Sequence, residues 1–273
     1  MKLNDLARGP RFSLAVILVC AIASSVTPAA AQKIDSTAEV QAVSTALNTF
    51  YKAAKKPDVG DLVARWERLA ATDQPSALPP MLGFLAAYFE KNPAQVDRIA
   101  NHPFGRKGQT VVLISLEAAG NDAAARRIAG KWHWTEAEVT KLGEIKPLAQ
   151  LVPASPSDLD TLWGAAFATG DPVYVRKIYD FYASVANDPK VEFGDIVLVI
   201  QARRNNKMES LRGIGERYSP EMAQKIVFAS AAVWSLMANA AAHPFVKAEL
   251  DRVEKDASST NAVKAMVALR QPQ

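Results

Sequence analysis

Cysteine is nearly missing from these 273 residues, Cys20 being the only one. A disulfide needs two thiols and a thiolate metal cage needs several, so neither can organise this fold. Histidine is scarce too: His102, His133 and His243 stand far apart, without a His-Glu-x-x-His pair or two histidines on one helix face. The glycine patterns that cradle phosphate are absent in their required order. Gly105-Arg106-Lys107-Gly108-Gln109-Thr110 is basic but lacks the G-x-x-x-x-G-K-[ST] spacing, and Gly213-Ile214-Gly215 is a bare G-x-G. Both read as helix connections. No G-x-S-x-G elbow occurs, so a hydrolase serine has no support. The expectation is that no residue is catalytic and that no cofactor or metal is held, with the enzyme question leaning to no.

A strong excess of one charge is missing as well. Lys and Arg number 32 against 28 Asp and Glu, a net charge of +4. The densest basic runs, Arg203-Arg204-Asn205-Asn206-Lys207 and Arg106-Lys107, are short and lack interleaved aromatics on which bases could stack. They read as solvated helix ends, where cations meet the negative end of the macrodipole. No nucleic-acid partner is expected.

What is present begins at the N-terminus. Lys2, Arg8 and Arg11 precede an apolar run from Leu14 to Ala23, and Ala29-Ala30-Ala31 stands before Gln32. That order of basic, apolar and small residues predicts a signal peptide over 1–31, cleaved between Ala31 and Gln32, and export to the periplasm or beyond. Ser24, Ser25, Thr27 and Pro28 interrupt the run short of the roughly 20 apolar residues a membrane helix needs, so no stable insertion is expected after cleavage. Val19 is too bulky for the residue before a lipid-anchored cysteine. Cleavage would remove Cys20, three of the 32 basic residues and one of the 28 acidic ones. The remaining body, 32–273, is then thiol-free, nearly neutral and read as a single domain.

That body is written in helical grammar. Ser36-Thr37-Ala38-Glu39 has the form of a capping box, predicting a helix start there, and Val40, Val43, Leu47, Phe50 and Ala54 continue as one apolar stripe until Lys55-Lys56-Pro57. Thr135 and Glu138 repeat the box, with Trp134 placed to staple onto Val139. Caps followed by proline stand at Asn92-Pro93, Ser155-Pro156, Asp171-Pro172 and Ser219-Pro220. Ile196-Val197-Leu198-Val199-Ile200 is β-rich in composition, but helical signals flank it, and it is expected to be a buried helix.

A repeat emerges when the caps are aligned. Phe84, Leu113 and Trp163 each lie 15 residues before an isoleucine, Ile99, Ile128 and Ile178. A cap falls between each pair, at Asn92-Pro93, Asn121-Asp122 and Asp171-Pro172, and an apolar residue, Val96, Ala125 or Val175, stands three before each isoleucine. Each unit reads as helix, turn, helix. The units resemble the helical hairpins of tetratricopeptide-type α-solenoids, most clearly at Ala165-Ala166-Phe167-Ala168-Thr169-Gly170-Asp171. Their separations of 29 and 50 residues depart from that family's period of about 34, and its Trp-x-x-Leu-Gly opening is absent. A fourth hairpin is expected across Ala240 to Pro244, with a last amphipathic segment around Val263, Met266, Val267 and Leu269 as a cap.

The expected fold is therefore all-α, an irregular array of antiparallel helical hairpins without a substantial sheet. The resemblance implies a protein or peptide partner. Trp132-His133-Trp134 is the sharpest local oddity, and a pocket near Trp132, His133 and Trp163 is the alternative, as in a small-ligand binder or enzyme between helices. Ordinary packing of both tryptophans competes with that reading. The close carboxylates Asp158 and Asp160, and Glu136 and Glu138, stand in first helical turns, where acids complement the macrodipole whatever the function.

Overall fold

The computed structural model describes residues 31–70, 78–143, 145–205, 211–256 and 260–270, and all regular structure among them is helical. The all-α class expected from the sequence is thus what the structure shows. The segment 1–30, which holds nearly all of the expected leader, lies outside the described residues, and Ala31 and Gln32 are the first two residues of a helix. The chain packs as two compact units. An N-terminal unit takes the described residues up to Leu151 together with Asp160–Asp171, and a C-terminal unit takes Val152–Leu159 and the described residues from Pro172 on.

In the N-terminal unit, α1 (Ala31–Thr49) runs through Ser36 instead of starting there. A capping box marks a start only where the preceding backbone is non-helical, and here the five residues before Ser36 are already wound. Val43, Leu47 and Phe50 of its stripe are buried, while Ala54 lies beyond the helix and is exposed. A 3-10 turn at Phe50–Lys52 ends this stretch. α2 (Val59–Ala70) is capped by Asp58, whose Oδ1 accepts the Asp61 N–H at 3.1 Å.

α3 (Leu78–Lys91) is the core helix, burying Met81, Phe84, Leu85 and Phe89. Asn92 does not cap the next helical segment; its amide donates to the Tyr88 carbonyl at 2.9 Å and closes α3, and Pro93 opens a 3-10 turn into α4 (Val96–Ile99). α5 (Arg106–Ala118) packs along α3, and the Ser115 hydroxyl donates to the Leu82 carbonyl at 3.2 Å. α6 (Asp122–Lys131) packs back on α5 across a turn in which Gly120 takes φ +71° and Asn121 caps the Ala124 N–H. α7 (Glu136–Thr140) carries the full capping box predicted at Thr135 and Glu138.

α8 (Pro156–Thr169) begins with residues of the C-terminal unit, where Asp158 accepts from the Ala154 and Ser155 N–H groups at 2.9 and 2.8 Å. Its residues from Asp160 on belong to the N-terminal unit and cross α3 in the opposite direction: Gly83 meets Thr161, and Gly164 meets Pro80. A Cβ on Gly83 would stand 1.8 Å from the Thr161 carbonyl oxygen, and one on Gly164 would stand 2.0 Å from that of Pro80. The two helices touch backbone to backbone, at a separation only glycine permits.

The C-terminal unit holds α9 (Pro172–Ala186), α10 (Phe193–Arg204), α11 (Arg212–Arg217), α12 (Pro220–Ala242), α13 (Pro244–Asp256) and α14 (Asn261–Arg270). The run Ile196–Ile200 is helical within α10, and Ile196, Val199 and Ile200 are buried, as expected. Among the described residues α12 is the one helix long and apolar enough to cross a bilayer, but it serves as the unit's core, packed by α9, α10 and α13 with Ile226, Ala229, Val233 and Leu236 inaccessible. The Ser219 hydroxyl caps it by accepting the Met222 N–H at 3.3 Å. His243 ends α12, and its carbonyl accepts the Val246 and Lys247 N–H groups that open α13. α14 docks on α9 and α10: the Tyr182 hydroxyl donates to the Ala262 carbonyl at 2.6 Å, and the Ala262 N–H donates to Asn187 at 3.0 Å. Phe84, Leu113, Trp163, Ile99, Ile128 and Ile178, the aligned positions of the repeat, are all buried.

Candidate functional site

The sequence points first to Trp132, His133 and Trp163, and the structure gives each its own structural task. Trp163 is 3% exposed and stacks on Phe167 with ring centres 5.5 Å apart, so it is a core residue of α8. The Trp132 indole donates to the Ala100 carbonyl at 3.1 Å and meets the Phe104 ring edge-on. His133 is exposed at φ +57°. It occupies the left-handed position after α6, where its N–H reaches the Gly130 carbonyl and the Trp134 N–H reaches that of Ala129, the paired bonds of a Schellman ending. Its backbone, more than its imidazole, explains its place. Trp134 is tied to α5: the indole donates to Gln109 at 2.8 Å, the Arg106 guanidinium lies 4.0 Å over the ring, and Arg106 pairs with Glu138. The Thr135 N–H, then Arg106, hold the Glu138 carboxyl down at about 2.

The basic glycine segment at Gly105 already holds an anion, supplied by the chain itself. Glu67 of α2 accepts the N–H groups of Gly105 at 2.9 Å and Gly108 at 2.7 Å, filling the positive end of α5 as a phosphate would. No local pattern could have revealed this, since Glu67 lies 38 and 41 residues from its donors.

Two neighbouring features of the N-terminal unit carry open polar chemistry. One is a cleft of about 420 Å³ at the C-terminal ends of α3 and α8, lined by Phe50, Lys56, Tyr88, Lys91, Asn92 and Asp171, among others. Lys56 donates to the Phe50 carbonyl and to that of Tyr51 at 2.9 Å, which sets its ammonium 4.7 Å from the centre of the Phe50 ring. Burial pulls that ammonium below its ordinary pKa. Lys91 stands 3.7 Å from Asp171, and the Thr169 hydroxyl accepts the Asp171 N–H at 3.1 Å. Tyr88 lies stacked parallel to Phe84 and edge-on to Phe50, its phenol raised by burial.

The other feature gathers Asp58, Asp61 and His102, whose ligand atoms lie within 4.8 Å of one another. His102 Nε2 is 3.4 Å from Asp58 and Nδ1 is 3.9 Å from Asp61, and the ring packs over Gly60 and stacks on Phe104. Asp58 is already engaged, with Arg98 paired to one oxygen and the Asp61 N–H on the other. Burial works to raise the Asp58 carboxyl, but the Asp61 N–H, Arg98 and His102 together hold it below the usual carboxylate range. Arg98 occupies the electrostatic place of a cation, so the donor set fits a helix cap better than a metal centre. The separation of 44 positions between Asp58 and His102 hides the cluster from any motif search.

None of the three residues picked from sequence lines the cleft, and its lysines come from a turn and a helix end that carry no motif. Compared with known proteins, the chain matches no protein-family model, no curated protein and no solved structure.

Proposed function

We propose that this chain is an exported interaction module of a bacterial-type envelope, a helical-repeat scaffold of tetratricopeptide-like hairpins that binds a segment of a partner protein. Residues 1–31 act as its leader, and the body from Gln32 onward does the binding. The observation that carries this reading is the cleft of Lys56, Tyr88, Lys91, Asn92 and Asp171. Its walls come from the turn after α1, the end of α3 and the end of α8, and the Gly83–Gly164 crossing couples α3 to α8 by direct backbone contact. Walls joined that closely are set before a ligand arrives, which lowers the ordering cost of association. Helical arrays commonly present such inter-helix surfaces to peptides.

The test is a photocrosslinking amino acid at Asn92 in the exported protein, with a control at Lys247. A reproducible partner captured from Asn92 and not from Lys247 supports the module; no partner from either site refutes it. N-terminal sequencing of the exported protein tests the leader, with Gln32 expected as the first residue. The cleft volume also falls in the roughly 300–1,000 Å³ range of small-molecule sites, which favours one alternative, a small-ligand binder of the envelope. A metabolite that raises Tm in wild type and not in an Asn92→Trp variant would select that reading.

A further inference from the structure

We infer that the segment received by this cleft is acidic, an Asp or Glu side chain of a peptide whose carboxylate meets Lys56; the inference rests on the interaction-module reading. Lys56 is an unusual cation. Two main-chain carbonyls and the face of Phe50 hold its ammonium in the cleft, and among the described residues no carboxylate lies within ion-pair distance of it. Carbonyls and an aromatic face orient an ammonium but leave its charge uncancelled. A carboxylate arriving there meets an oriented, accessible ammonium and forms a charge-assisted hydrogen bond with it.

The rest of the lining agrees in sign. The Tyr88 hydroxyl makes no hydrogen bond to the described residues and is a second donor on the same wall. Lys91 adds a positive charge that Asp171 balances across 3.7 Å. The lining of Lys56, Lys91 and Asp171 therefore sums to one positive charge, which matches a monoanion. A phosphate dianion would place a second negative charge near Asp171, so a phosphopeptide is the poorer fit. The Tyr88 ring, on the same wall as Lys56, suits the methylenes of a glutamate side chain.

The experiment is fluorescence anisotropy of the full chain with three labelled peptides: alternating Ala and Glu, the same with Gln, and the same with one phosphoserine in place of a Glu. The Glu peptide is expected to bind about tenfold more tightly than the Gln peptide, the scale of one charge-assisted contact, and to weaken as salt rises. Lys56→Gln should remove that preference, while Lys56→Arg should retain it; an unchanged melting curve for each shows that the fold is intact. Failure of the Glu peptide to bind, equal binding of the Gln peptide, an unaltered preference in Lys56→Gln, or tighter binding of the phosphoserine peptide would each overturn the inference. Capture of a partner from Asn92 through a neutral segment would overturn the acidic ligand and leave the module standing, whereas no capture strikes the module itself.

Discussion

The two units bury their polar groups differently. In the N-terminal unit most charged groups stay near the surface, around the cleft of Lys56 and Lys91 and the cluster of Asp58 and His102; among the described residues its fully buried polar side chains are the neutral Ser115 and Thr161, and half-buried Asp160 is the exception in charge. The C-terminal unit draws charge inward. Asp195 is 3% exposed beneath Arg217 and the Tyr218 hydroxyl, and Glu249 is 5% exposed with Arg252 bonded to both its oxygens, at 2.9 and 2.6 Å. Removing one partner of such a pair leaves a buried charge uncompensated, so each pair constrains the packing around it. Surface charge stays available to a ligand. The contrast agrees with the proposal that recognition belongs to the first unit.

Four substitutions test that contrast. Gly83→Ala should have the largest effect, because its Cβ would stand inside the Thr161 carbonyl and neither backbone can yield; a loss of about 3 kcal/mol or more is expected in urea unfolding. An alanine tolerated there would show that the α3–α8 crossing is not what holds the cleft. Asp195→Ala should cost about 2 kcal/mol, less than a fully buried pair, because Arg217 is half-exposed and can rehydrate. The unit should loosen around α11, read as faster amide exchange at Tyr218.

Glu67→Ala removes the carboxylate from the start of α5 and should cost about 1 to 2 kcal/mol. Loss of exchange protection at the Gly105 and Gly108 amides is the local signature. If the freed amides then recruit inorganic phosphate, seen as a concentration-dependent rise in Tm, Glu67 is confirmed as the occupant of an anion cradle.

Asp160→Asn has the smallest predicted effect and the opposite sign. Burial pushes the Asp160 carboxyl up to about 7 from an ordinary 3.8. The folded chain thus holds that proton more tightly than the unfolded one, so the contribution is fully present below about pH 4 and is lost as pH rises toward 7. The variant should be more stable at pH 8 by about 1 kcal/mol, after discounting for partial hydration, and equal to wild type at pH 3. Equal stability of the two at pH 8 would show that Asp160 is charged at little cost.

Much of the helical punctuation is legible because each signal closes within one turn. Thr135 with Glu138, Asn121 with Ala124, and Ser219 with Met222 all form as their spacing predicts, since cap and donor lie three residues apart. Ser36 misleads because the same letters can lie inside a helix, and a cap requires extended backbone at its own residue. At Trp132-His133-Trp134 the oddity is real but belongs to a helix ending, since φ above zero at a histidine cannot be read from the letters. The candidate site was hardly legible. Lys56 acquires its place from the carbonyls of Phe50 and Tyr51, and Tyr88, Lys91 and Asp171 reach the cleft from helix ends far apart in the chain.

By itself the sequence determined the all-helical class, the buried faces of its helices, the freedom from structural thiols and most of the caps, because periodicity and capping are interactions between neighbours in the chain. Only the tertiary structure decided that Gly83 and Gly164 exist for one backbone crossing, that Glu67 occupies the cradle at α5, and that Lys56 stands in a cleft without a counter-charge among the described residues. Those are contacts between residues tens of positions apart. Their energy depends on distance and burial in the folded state, neither of which a linear order of residues contains.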